Sequence, residues 1–180
     1  VVDKFQIDPD KISVVPNACR EGFRPISLQE KVKVQLKYSE GKPYFMTLGA
    51  VHPRKNLSSV LMAFDRFKTA NPELPHRLLI TGRKAWKNKD LDTLWNSLKS
   101  TADIEWLGYV EDENLPAIVG AAEAMIYISL FEGFGIPILE AMACGVPVIT
   151  SNKSSMPEVA GDAAILVDPL NIDEIVNAME

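Results

Sequence analysis

Glu132 and Glu140 enclose the stretch EGFGIPILE, in which a carboxylate is followed by a glycine-rich turn, a proline and a second carboxylate inside an apolar run. Gly133 and Gly135 let the backbone turn sharply and come close to a ligand. Pro137 suits the first turn of a helix, where its missing N–H would have no partner in any case. The pattern therefore places Glu132 in a loop at a helix N-terminus and Glu140 about one turn into that helix, projecting back towards the same opening. Unbonded N–H groups at such a terminus attract anions, and carboxylates beside them accept hydrogen bonds from hydroxyls. Together they suit a molecule that carries both phosphate and polyol, such as a nucleotide sugar. The plainer explanation is that glutamates at a helix start complement the helix dipole, and that a Gly-x-Gly-x-Pro run only joins a strand to a helix.

A second constellation is Arg54 and Lys55, directly before Asn56, a good N-cap for a helix beginning at Leu57. Cations at a helix N-terminus oppose the dipole, and a bound phosphate would resolve the conflict. Arginine offers phosphate a planar fork of donors and lysine a point charge, so the pair can neutralise a diphosphate without a metal. An exposed basic loop in solvent is the alternative.

Positioning these groups requires a scaffold, and from Tyr44 onward short apolar runs alternate with helical patterns. YFMTLG (44–49), RLLITG (77–82), IEWLG (104–108), AMIYIS (124–129), PVIT (147–150) and AAILVDP (163–169) have the character of buried strands. Between them Leu57, Val60, Leu61, Phe64 and Phe67, and then Leu91, Leu94, Trp95 and Leu98, fall at helical spacing. A further helix is expected to start near Asp112 as cap and to carry Leu115, Ile118 and Val119. The fold class is α/β, a Rossmann-like doubly wound parallel sheet with short crossover connections. Ligands of such sheets bind outside the carboxyl ends of the strands, which gathers the loops AVHPRKN, RKAWKN, YVED and FEGFGIP on one edge. Residues 1–43 differ in character: ISVVPN (12–17) suggests an edge strand, Leu28 to Leu36 a helical stretch, and the whole a linker leading into a domain spanning 44–180. The first residue is Val1, and the helical stripe Ile172, Ile175, Val176, Met179 is still running at Glu180, so the sequence is expected to be part of a longer protein.

Bulk properties narrow the function classes. With 180 residues, 47% of them apolar, the chain can bury a sizeable core. A net charge of −5 argues against a broad nucleic-acid surface, although Arg83, Lys84, Lys87 and Lys89 form a local basic run. Cys19 and Cys144 have neither disulfide-scaffold nor metal-ligand spacing, and no metal site is expected. No apolar run reaches the length of a membrane span, so a cytoplasmic setting is the default expectation.

The segments LGAVHPRKNLSSVLMAF, LGYVEDENLPAIVGAAEAMIYIS, EGFGIPILEAMACGVPVITSN and MPEVAGDAAILVDP, in that order, resemble the donor-binding half of retaining GT-B glycosyltransferases of family 4. VVPNA near the start is similar to that family's interdomain linker, and E-x7-E is its signature. The resemblance implies one half of a two-domain GT-B architecture, with the N-terminal acceptor domain absent from this sequence. It implies that Arg54 and Lys55 hold the diphosphate of a GDP- or UDP-linked donor, that Glu140 takes the ribose hydroxyls, and that Glu132 is the catalytic carboxylate beside the transferred sugar. Gly133, Phe134 and Gly135 would contact sugar or phosphate, Gly49 would border the donor, and the turn at Tyr109 and Val110 would face the nucleobase. The implied reaction moves a hexose of mannose or glucose type, with retention and without metal or other cofactor, to a glycan or lipid-linked acceptor held by the missing half. Polysaccharide biosynthesis, with peripheral attachment at the inner membrane through that half, is the matching setting.

The sequence departs from the pattern in places. Ala50 stands where many relatives have arginine, which passes the guanidinium role to Arg54; Ala18 replaces the linker glycine; Arg83 and Lys84 stand near Gly82 where a second glycine is common. His52 could bond a phosphate oxygen, His76 is expected to be exposed, and Trp86, Trp95 and Trp106 to be packing residues. Glu158 resembles an element that places the glycine loop. A dinucleotide-dependent oxidoreductase is disfavoured, since no strand is followed by G-x-G-x-x-G. A nucleotide-sugar binding module without activity of its own and a GT-B-type epimerase remain as alternatives.

Overall fold

The computed structural model describes residues 2–83 and 89–180; Lys84, Trp86 and Lys87 lie outside the described residues. Helix α1 (Val2–Phe5) and α2 (Leu28–Tyr38) precede a regular alternation: β1 (Tyr44–Leu48), α3 (Leu57–Ala70), β2 (Arg77–Thr81), α4 (Lys89–Ser97), β3 (Ile104–Gly108), α5 (Leu115–Gly120) and β4 (Ala124–Tyr127). The second half continues with α6 (Ile136–Ala143), β5 (Val148–Ser151), α7 (Met156–Ala160), β6 (Ile165–Val167) and α8 (Ile172–Met179). The strands form one six-stranded sheet in the order β3-β2-β1-β4-β5-β6, and every pairing is parallel. This is the doubly wound Rossmann-like α/β architecture that the alternation of apolar runs and helical stripes predicts.

Helices cover both faces of a parallel sheet, so its central strands must be apolar on both sides rather than alternating. Strands β1, β2, β4 and β5 obey this, with nearly every residue buried. On one face α3 and α8 pack together, and Val60, Leu61, Phe64 and Phe67 meet Phe45, Leu78, Ile80 and Ile126. On the other, Ile118, Val119, Ile138 and Ala141 of α5 and α6 meet Tyr44, Met46, Leu79 and Met125. Tyr44 carries the one polar group of this set, and its hydroxyl donates to the Ile118 carbonyl at 2.6 Å. The leading segment adds to this second core: Phe23 is buried, and Ile26, Val34 and Tyr38 pack against it, with α2 lying on α5.

Several expectations need correction. Residues 12–17 form no strand; Val14 and Val15 are exposed, and the sheet ends at β3 and β6 instead. The last strand is shorter than 163–169, because only Ile165 to Val167 pair with β5. Helix α5 begins at Leu115 with Asn114 in the capping position, and Asp112 is engaged elsewhere. His76 is half-buried rather than exposed: its ring stacks on Phe45 at 5.2 Å, and burial pushes its pKa down. Trp95 and Trp106 pack against the core as expected.

Candidate functional site

Strands β1 and β4 are neighbours, but the chain leaving β1 turns to α3 on one face and the chain leaving β4 turns to α6 on the other. The two loops therefore part over the carboxyl edge of the sheet and leave a crevice at the point where the strand order reverses. They are joined along its floor by a hydrogen bond from the Leu130 N–H to the Arg54 carbonyl, 2.8 Å. Asn56 strengthens the join. Its backbone is left-handed (φ 55°), and its side-chain amide donates to the carbonyls of Ile128 (3.3 Å) and Pro169 (2.6 Å) while its oxygen accepts from Ser59 (2.8 Å). The expected capping of α3 is thus replaced by a tie among the loops after β1, β4 and β6.

Glu132, Arg54 and Lys55 meet in this crevice. Arg54 pairs with Glu132 Oε2, and Lys55 Nζ lies 2.7 Å from Glu132 Oε1. Lys55 also donates to the Tyr127 hydroxyl at 2.7 Å, with its ammonium 4.6 Å from that ring. Glu132 Oε1 is buried, and the Lys55 ammonium at 2.7 Å is its charged partner. Burial raises the carboxyl's pKa, but the contacts from Lys55, Ser129 and Arg54 outweigh burial and hold Glu132 below the usual value. For Lys55 the balance runs the other way: burial lowers its pKa, and the carboxylate offsets this only in part. Burial, reinforced by Glu132, also pushes the Tyr127 phenol up. The two cations that sequence alone leaves awaiting a phosphate share the single carboxylate of Glu132, a pairing which the spacing did not reveal.

Beside this cluster lies a cavity of about 150 Å³ lined by Leu48, Gly49, Thr81, Gly82, Tyr109, Val110, Asp112 and Leu115. Three adjacent strands end at or just before glycines of positive φ, Gly49 (135°), Gly82 (136°) and Gly108 (69°), of which the first two form part of the cavity wall. Their ends are laced sideways, Gly49 N–H to the Thr81 carbonyl and Gly82 N–H to the Gly108 carbonyl, at 2.9 and 2.7 Å. A Cβ on Gly82 would fall 2.0 Å from the Gly49 carbonyl oxygen, and one on Gly49 would fall 2.9 Å from Lys55 Cε. Tyr109 is exposed at the rim, where Arg83 stacks over its ring at 4.9 Å. The predicted residues Gly49, Tyr109 and Val110 are therefore brought together around one cavity.

Glu140 does not join Arg54 and Lys55. It is buried on α6, and Arg20 Nε donates to its Oε1 at 2.6 Å. Arg20 Nη1 reaches Asp112 at 2.9 Å, and the guanidinium lies 5.3 Å from the Phe23 ring. Gly133 is exposed with open space around its Cα, Phe134 is half-buried, and Gly135 adopts φ 113° as α6 begins. The glycine loop is held by two serines: Ser154 Oγ donates to the Glu132 carbonyl (2.7 Å) and Ser155 Oγ to that of Phe134 (2.6 Å). Glu158 is exposed in the first turn of α7, where a carboxylate complements the helix dipole. His52 Nδ1 accepts the Arg54 N–H at 3.3 Å and so shapes the turn that carries both cations. Among the described residues no group of three or more His, Cys, Asp or Glu side chains is placed to hold a metal ion, and no helix is long and apolar enough to cross a membrane.

The sequence profile described as glycosyl transferases group 1 matches residues 29–180. O-antigen chain mannosyltransferase B of Escherichia coli is 37% identical over 179 residues, covering 97% of this chain and 46% of that protein. MMP alpha-(1->4)-mannosyltransferase of Mycolicibacterium hassiacum is 42% identical over 180 residues, covering 97% of this chain and 40% of the other. Among solved structures, Anabaena HepE in complex with UDP-glucose superposes with a TM-score of 0.76 at 20% identity, covering 89% of this chain and 44% of that one; the likeness is one of fold. The chain spans less than half the length of these curated relatives.

Proposed function

The chain belongs to the group 1 glycosyltransferases, and on that premise we propose that it is the donor-binding half of a retaining GT-B enzyme of family 4. In this reading the enzyme transfers a hexose, of mannose or glucose type, from a GDP- or UDP-linked donor to a hydroxyl of a glycan or lipid-linked acceptor. The acceptor is bound by a domain preceding residues 44–180, with residues 1–43 as the linker. The mannosyltransferase relatives support mannose as the first sugar to test.

One observation carries the reading: Arg54, Lys55 and Glu132 converge at the switch-point crevice, next to a cavity walled by Gly49 and Gly82. As the bond from the anomeric carbon to the diphosphate breaks, negative charge grows on the departing oxygens. Arg54, with its side chain 45% exposed, turns its fork of donors from Glu132 to those oxygens, while the more buried Lys55 supplies a fixed positive charge. Preorganised donors of this kind contribute several kcal/mol each, roughly a hundredfold or more in rate. Glu132, released from Arg54, faces the sugar, where it orients hydroxyls and stabilises positive character at the anomeric carbon. Gly133, Phe134 and Gly135 contact sugar or phosphate, the nucleobase enters the cavity at Gly49, Tyr109 and Val110, and Glu140 accepts the ribose hydroxyls. No metal is assigned to the diphosphate, whose charge the side chains neutralise.

The test is made in the longer protein that carries this chain. Lys55→Ala and Glu132→Gln should each abolish transfer from GDP-mannose or UDP-glucose while leaving the circular dichroism spectrum intact, and transfer should persist in EDTA. Product analysis by NMR should show the donor's anomeric configuration kept and a new glycosidic bond rather than an epimerised nucleotide sugar. Unchanged turnover in both variants would sink the proposal.

A further inference from the structure

Glu140 is a carboxylate with a side chain 1% exposed on an otherwise apolar helix. Burying a carboxylate is costly unless it is paired and hydrogen-bonded, and among the described residues its cationic partner is Arg20. Arg20 comes from a segment without regular structure, so its own contacts must fix it. They do so on three sides: Nε on Glu140 at 2.6 Å, Nη1 on Asp112 at 2.9 Å, and the guanidinium carbon 5.3 Å from the centre of the Phe23 ring. Asp112 in turn lines the glycine-walled cavity. The guanidinium thus ties that wall to a carboxylate that lies 120 residues from Arg20 in sequence.

We infer that Arg20 is a positioning residue for nucleotide recognition: by engaging Glu140 through Oε1 it holds the carboxylate in one orientation, leaving Oε2 as the oxygen that accepts a ribose hydroxyl. This rests on the reading of Glu140 as the ribose acceptor. Both the hydrogen bond and the ion pair from Arg20 go to Oε1, so Arg20 itself does not occupy the other oxygen. The planar fork is essential to the arrangement. Two of its nitrogens serve two separate carboxylates at fixed angles, which a lysine ammonium, as a single point charge, does not reproduce.

The experiment is calorimetric titration of the 180-residue chain with GDP and UDP and with their 2′,3′-dideoxy counterparts. A hydrogen bond from a hydroxyl to a charged acceptor favours the hydroxylated nucleotide by about tenfold or more. That preference should fall to near unity in Arg20→Gln and in Arg20→Lys, as in Glu140→Gln, and the double variant Arg20→Gln/Glu140→Gln should lose no more than either single one. Thermal denaturation of each variant separates this from a loss of fold. If Arg20→Gln weakens both nucleotide forms equally, or leaves binding unchanged, while Glu140→Gln abolishes the preference, the role of Arg20 is overturned and the reading of Glu140 stands. If Glu140→Gln keeps the preference, or the unaltered chain binds neither nucleotide, the reading of Glu140 fails and that of Arg20 with it.

Discussion

Glu132 sits between two cations in a crevice that excludes most water, its side chain about 10% exposed. Removing one partner of such a cluster leaves the others uncompensated, so Glu132→Gln should lower folding stability by up to about 3 kcal/mol in urea unfolding at pH 7. The pH dependence follows from the depressed pKa of this carboxyl. Between its folded value and the ordinary 4.5 the unfolded chain binds more protons, so stability rises with pH there. The contribution is complete above the ordinary value and is lost as pH falls through the folded one. The acid limb of the stability profile should therefore be shallower in Glu132→Gln than in the unaltered chain, and identical limbs would refute the assignment. At this scale sequence singled out candidate residues but not whom they meet. Arg54, Lys55 and Glu132 could be singled out by type and position, yet their mutual pairing depends on adjacent loops separated by 78 residues. Arg20 gave no local signal at all, since its significance lies in Glu140 and Asp112 on other elements.

The elements carry the site through their ends. Gly82→Ala would place a methyl on the Gly49 carbonyl and force a residue with φ 136° out of its region, so a loss of about 2–4 kcal/mol is expected by urea denaturation. Asn56→Ala removes the tie among three loops and leaves the Pro169 carbonyl without its donor; a loss of about 1–3 kcal/mol and weaker nucleotide binding should follow together, as titration of the variant would show. The strands were legible because burial on both faces imposes continuous apolar runs, and the LG and TG dipeptides at their ends announced the turns. ISVVPN misled because β-branched residues favour extended backbone wherever they occur, whereas a strand also needs a partner, and Val14 and Val15 have none in the sheet. Asp112 misled for the converse reason: a good cap was drawn to a stronger partner, the Arg20 guanidinium.

For the molecule as a whole, stability should be graded across the sheet. Strand β1 lies between β2 and β4 with helices on both faces, while β6 has three residues, two of them exposed, and one strand neighbour. Hydrogen exchange should therefore show the amides of β1, β2 and β4 opening only with global unfolding and those of β6 by local opening, and equal protection of both would contradict this ordering. The order β3-β2-β1-β4-β5-β6 could be anticipated as a class from alternation alone, but the crevice between β1 and β4 is a property of the assembled sheet. The β5–α7 connection, far from the cations in sequence, completes it through Ser154 and Ser155. Peptide units are rigid planes in which oxygen and hydrogen point in opposite directions. Fastening the oxygens of Glu132 and Phe134 to those hydroxyls therefore aims the amide hydrogens of Gly133 and Gly135 away from α7, so two serines that need never touch a substrate dictate the direction in which the loop presents its donors.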